Sequence, residues 1–164
     1  MDKTLIIGYG NLDREDDGLG WHVLAGVAVR LGRAVPEDPD EGFQPAGDYP
    51  HLFFTLQLTP EMSEILSEYD RVCFVDAHTG QIKDDLHIQE VQAHFQASPM
   101  THHLTPASLL SFTDAIYHCH PQAILVSGRG FQFGFSRTLS AQTAALIGEA
   151  VREILTWIET GKIP

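Results

Sequence analysis

Residues 6–20 read IIGYGNLDREDDGLG. A short apolar strand, residues 4–8, runs into a glycine turn at Gly8 and Gly10. An acidic run follows, Asp13, Glu15, Asp16 and Asp17, and a helix starts there. This strand–turn–helix opening is that of an open α/β sheet, whose ligands bind outside the carboxyl ends of the strands. Glycines at that point usually cradle a phosphate at a helix N-terminus. Four carboxylates there repel phosphate and attract a cation. The loop therefore reads as a metal-facing site. A dinucleotide fingerprint also lacks its third glycine, since position 13 is Asp.

Working outward, residues 17–32 place Leu19, Val23, Leu24, Val27, Val29 and Leu31 mostly on one broad helical face. Residues 33–50, rich in proline and acids, read as a loop. LFFTLQL, 52–58, reads as a strand. Thr59-Pro60-Glu61 starts a helix, with Thr as cap, Pro in the first turn and an acid at the positive pole. RVCFVDA, 71–77, is an apolar strand ending at Asp76, and residues 86–92 alternate as a half-exposed strand. Thr105-Pro106 repeats the helix-start signature for a helix to about residue 118. AILVSG, 123–128, is a buried strand. A Gly/Phe-rich loop, 128–136, leads to a final helix over 139–159. The order β-α-β-α-β-β-α-β-α predicts one α/β domain over 1–164. Its architecture is three-layered: a twisted, mostly parallel sheet of about five strands with helices on both faces.

The formal net charge of −12 argues against nucleic acid and anionic membranes as partners. No apolar run reaches the ~20 residues of a membrane span, and the N-terminus lacks a signal-peptide pattern. Two cysteines, Cys73 and Cys119, fit no metal or redox spacing. The expected compartment is the cytoplasm.

Three residues form a candidate constellation. Asp17 closes the first strand-to-helix turn, Asp76 ends the third strand, and His102 lies just before the helix that Thr105-Pro106 begins. Strand carboxyl ends share one rim in such a sheet, so two carboxylates and an imidazole could meet there and suit Zn²⁺, Ni²⁺ or Fe²⁺. His103 and His78 are rivals to His102. Plainer readings stand beside this one. Asp16 and Asp17 are also capping acids, and Asp76 is also a turn residue or helix cap. Of the two, Asp16 is expected to be structural, accepting backbone hydrogen bonds near the helix start, and Asp17 to face the cleft. His118-Cys119-His120 reads as a helix end, and the Phe131/Phe133/Phe135 alternation as core or edge packing.

The first motif, Gly8-Tyr9-Gly10-Asn11-Leu12-Asp13-Arg14-Glu15-Asp16-Asp17-Gly18-Leu19-Gly20, resembles the N-terminal signature of the hydrogenase maturation proteases, roughly G-x-G-N-x-L-x-x-D-[DE]-G-x-G. VCFVDA with Asp76 is similar to the family's mid-chain aspartate strand. Thr101-His102-His103-Leu104 resembles its H-x-L segment, and Gly134…Leu139-Ser140 fits the stretch before the last helix. The resemblance covers essentially the whole chain. It departs from the pattern at Asp13, where many members have Leu, and at Leu56-Gln57-Leu58-Thr59-Pro60-Glu61, where some members have a D-G-G-T turn.

The resemblance implies an endopeptidase that removes the C-terminal peptide from a nickel-loaded [NiFe] hydrogenase large-subunit precursor. That precursor is the expected partner, and the enzyme is expected to act as a monomer. Nickel is implied as the cation, supplied by the substrate and replaceable by a surrogate divalent ion. Asp17, Asp76 and His102 carry over as its ligands and as the catalytic set. No covalent nucleophile is expected, because neither cysteine is activated and no G-x-S-x-G elbow is present. Two other functions fit the same residues. One is a general metal-dependent peptidase or amidase with its own metal. The other is a non-enzymatic module for nickel delivery or precursor binding.

Overall fold

The computed structural model describes residues 2–95 and 103–163. The parallel strands are β1 (Thr4–Tyr9), β2 (His51–Thr55), β3 (Arg71–His78) and β5 (Gln122–Arg129). The fifth strand, β4 (Leu86–Val91), runs antiparallel to β5. The sheet order is β2-β1-β3-β5-β4.

The apolar strands divide their side chains between two cores with a period of two. Ile6, Cys73, Val75, Ile124 and Val126 face one side. There they pack on α1 (Leu19–Arg30) and α5 (Ile147–Thr160) through Leu24, Val27, Val151 and Ile154. Leu5, Ile7, Val72, Phe74 and Ala123 face the other side. They pack on α2 (Ser63–Leu66) and α3 (Pro106–Tyr117) through Leu66, Leu109 and Leu110. Strands buried on both faces need helices on both faces, and the three-layer α/β expectation holds.

Boundaries differ from the sequence reading in three places. The first helix begins at Leu19, after a 3₁₀ turn over Glu15–Gly18, and Val29 points to solvent. β2 stops at Thr55, and Leu56 is 62% exposed, so the apolar run to Leu58 is not all strand. The final helix is two pieces, α4 (Ala141–Ala144) and α5. Ser140 caps α4 by accepting from the Thr143 amide, while the Thr143 hydroxyl is drawn to the Arg129 carbonyl. Leu146 N then bonds back three residues, to Thr143 O, and the tightened turn offsets α5.

Candidate active site

β1 has β2 on one side and β3 on the other, so the strand order reverses between β1 and β3. The crevice at that reversal is where open α/β sheets bind ligands. Residues 5, 7 and 9 of β1, and 72, 74 and 76 of β3, point to the same face. That register brings Tyr9 to Asp76, and the Tyr9 hydroxyl donates to Asp76 Oδ2 at 2.7 Å. Burial pushes the Asp76 carboxyl up to about 6; the Tyr9 hydrogen bond pulls the other way, and the charge of Asp17 adds to the rise. Burial beside Asp76 also lifts the Tyr9 phenol well above its ordinary value, so it stays a donor.

Asp17 reaches the crevice from the turn after β1. Its Oδ2 accepts from the Asn11 amide at 2.7 Å. Gly10, at φ +142°, lets the chain pass so close that a Cβ there would lie 2.1 Å from the Asp17 carbonyl oxygen. Only glycine fits both the angle and the space. Asp17 and Asp76 both line one cleft of about 680 Å³, which extends over β4 and β5 to the start of α3. Leu58, Val91 and Leu125 give it apolar walls, and no lysine or arginine lines it among the described residues.

The acidic run is not one cation site. Asp16 is 0% exposed and turns away from the cleft into the loop before α4. It accepts from the amides of Phe131 (2.7 Å), Gln132 (2.9 Å) and Ser140 (2.7 Å) and from the Ser140 hydroxyl (2.7 Å). Burial acts to raise its carboxyl, but these donors outweigh it and hold it at about 2. Glu15 accepts from the Gly134 amide, and Asp13 accepts from Arg137. Three of the four acids thus hold a loop more than a hundred residues away, and Asp17 alone lines the cleft. Asp16 is structural and Asp17 faces the cleft, as expected, but the donors to Asp16 come from that distant loop, for which charges near one helix start carry no signal.

The histidines sort as follows. His102 lies outside the described residues. His103, exposed, lines the cleft with Asp17 and Asp76. His78 does not line it. Its Nδ1 accepts from the Gly80 amide and its Nε2 donates to the Asp84 carbonyl, so it belongs to the β3–β4 turn. His120 lies beside Asp114 just past α3, as a helix-end residue would. Among the described residues no three His, Cys, Asp or Glu side chains are grouped to hold a metal ion. Tyr9 and the Asn11 amide orient the two carboxylates, roles that the motif containing them does not disclose. The period of two along β1 and β3 was the signal that could have found Tyr9.

No protein-family model matches the sequence, and no curated protein matches it. Solved structures do. The hydrogenase maturating endopeptidase HybD from E. coli aligns with a TM-score of 0.66 at 16% identity, over 97% of this chain and 94% of that one. The [NiFe] hydrogenase maturation protease HybD from Thermococcus kodakarensis gives 0.65 at 13% identity, over 94% and 97%. Hydrogenase 2 maturation peptidase from a Thaumarchaeota archaeon gives 0.61 at 20% identity, over 95% and 97%. Over 94–97% of its length, the chain shares the fold of these solved hydrogenase maturation endopeptidases.

Proposed function

We propose that this protein is an endopeptidase that removes the C-terminal peptide from a nickel-loaded [NiFe] hydrogenase large-subunit precursor. The observation that carries the reading is the pair Asp17 and Asp76, brought from separate segments to one cleft at the switch point of the sheet. The sequence signature around them and the shared fold support it.

The residues fit a divalent cation that arrives with the precursor. Asp17 and Asp76 are hard oxygen donors close enough for the charge of one to raise the pKa of the other. A cation between them relieves that repulsion. His102 would add a nitrogen donor, with His103 as its alternative, and the precursor would supply the remaining ligands. Nickel bound in the precursor would polarise the scissile carbonyl or lower the pKa of a bound water. The chain's own part is positional. Tyr9 fixes one carboxylate, the Asn11 amide fixes the other, and the apolar walls of the cleft hold the tail. The same reading makes the protein a cytoplasmic monomer, and both cysteines are free, as in a reducing compartment. No helix among the described residues is long and apolar enough to cross a membrane.

The test is cleavage of purified precursor, with and without nickel, by the wild type and by Asp17→Asn and Asp76→Asn. The expected result is one cut near the precursor C-terminus, only with nickel and only by the wild type. Cleavage of nickel-free precursor, together with stoichiometric zinc in the purified enzyme, would favour the general metallohydrolase. Tight precursor binding without any cut would favour the delivery module.

A further inference from the structure

Leu52, Phe54, Leu56 and Leu58 place an apolar residue at every second position. Leu52 and Phe54 pack in the core with α1 and α5, and Leu58 packs in the core with α2 and α3. Between them β2 stops at Thr55 and the chain bends at Leu56 and Gln57, so the apolar side chains change from one core to the other. Leu56 falls at the change and joins neither core. Two hydrogen bonds hold the bend. The Thr55 carbonyl accepts from the Gly10 amide at 3.2 Å, and the Thr55 hydroxyl donates to the Gln57 carbonyl at 3.2 Å. Of the large apolar residues left exposed, Leu56 alone among the described residues lines the cleft of Asp17 and Asp76. Phe135, expected to pack in the core or at an edge, is 94% exposed and does not line it.

The strand register fixes where Leu56 stands relative to the two carboxylates. Thr55 pairs with Tyr9, and the Tyr9 hydroxyl donates to Asp76. Gly10, bonded to Thr55, precedes Asn11, whose amide donates to Asp17. Leu56 thus lies about one strand spacing, ~4.8 Å, from the end of β1 and two from the end of β3. An extended peptide advances ~3.4 Å per residue. A chain whose scissile bond sits at the carboxylates meets Leu56 about two residues from that bond.

We propose that Leu56 is a specificity-determining residue, the wall of a subsite for an apolar side chain of the precursor's C-terminal tail within two residues of the scissile bond. The proposal rests on the processing-endopeptidase reading. Leu56 offers no donor or acceptor, so a polar side chain laid against it gives up water and gains no partner. The neighbouring carboxylates, with no lysine or arginine in the cleft among the described residues, turn away an acidic one. An apolar side chain removes the exposed face of Leu56 from water at no such cost.

The experiment is initial-rate kinetics on full-length nickel-loaded precursor with the wild type, Leu56→Ser and Leu56→Met. Leu56→Ser is expected to raise KM about 10- to 100-fold with kcat unchanged, and Leu56→Met, of similar volume, to stay within about threefold of wild type. The melting temperature of Leu56→Ser should match wild type, because neither core uses the side chain. Precursors with a single Ser at each of the two residues on either side of the cut locate the partner. At one position, Ser should slow the wild type as much as Leu56→Ser does, and the two changes together should cost no more than either alone. Equal KM for wild type and Leu56→Ser, or losses that add at all four positions, overturns the subsite and leaves the protease reading standing. A KM rise matched by a fall in melting temperature assigns Leu56 to the fold and also overturns the proposal. A wild type that does not cleave precursor overturns both.

Discussion

The Tyr9 hydroxyl sits 2.7 Å from Asp76 Oδ2, joining the ends of the two strands that flank the switch point. The hydrogen bond favours the ionised carboxylate against the burial that opposes it. Tyr9→Phe removes the donor and keeps the ring. The Asp76 pKa should then move above its value of about 6. A carboxyl-detected NMR titration of the free enzyme reads it. A value that stays put or falls would show that the phenol does not bond the charged form.

Asp17→Asn should act in the opposite direction. It removes the like charge that adds to the rise, so the Asp76 pKa should fall. The amide oxygen of Asn can still accept from the Asn11 amide, so the melting temperature should change little. Processing should be lost. An unmoved Asp76 titration would mean that the two carboxylates are not electrically coupled.

Asp16 is expected to matter for stability rather than chemistry. Asp16→Ala leaves three amides and a hydroxyl without their acceptor. The cost should be about 3 kcal/mol, above the ~1 kcal/mol of an ordinary helix cap, because the acceptor is charged and buried. The pH dependence has a definite sign. The folded carboxyl, at about 2, lies below the unfolded value near 3.9. Its contribution is therefore present above about pH 4 and lost as pH falls through about 2. Asp16→Asn should flatten that part of the acid-unfolding curve by one proton. An unchanged slope in urea denaturation between pH 2 and 4 would contradict the assignment.

Gly20 gives a test of the fold itself. Alanine is the better helix former by about 1 kcal/mol. Yet a Cβ at this position would lie 2.9 Å from both Tyr9 N and Val75 O, and 3.1 Å from Gly8 Cα. All three are backbone atoms of the central strands and cannot rotate away. Gly20→Ala should therefore lose about 2 kcal/mol net, measured by urea unfolding. A more stable variant would mean that α1 lifts from the sheet more readily than this packing implies.

The sheet, its two covered faces and the positions of Asp17 and Asp76 were legible in the sequence for a physical reason. Apolar strands flanked by glycine turns and Thr-Pro helix starts are local signals, and switch-point geometry follows from their order. A structural Asp16 beside a cleft-facing Asp17 was legible, but the bonding of Asp13, Glu15 and Asp16 was not. Each is set by a partner in the 131–140 loop, and hydrogen bonds across more than a hundred residues leave no periodic trace. The division of the last helix was hidden for the same reason, because it depends on Ser140 and Thr143 being held by Asp16 and Arg129. His102 lies outside the described residues, so the third member of the proposed set rests on the sequence alone.

Metal dependence separates the proposed enzyme from a protein with a resident metal. The free protein should fold without a cation, since its two cores pack strands against helices on both faces. Chelator treatment should leave the melting temperature unchanged. Nickel added to the free enzyme should bind weakly, because Asp17 and Asp76 with one histidine fill only part of a coordination shell. That binding should strengthen as pH rises through about 6, since the Asp76 carboxyl must lose its proton to become a ligand. Calorimetric titration of Ni²⁺ into chelator-treated enzyme at pH 5 and pH 7.5 measures both affinities and the proton released. Tight stoichiometric binding at both pH values, with a melting temperature that rises on loading, would mean that the cation belongs to this chain and does not arrive with the precursor.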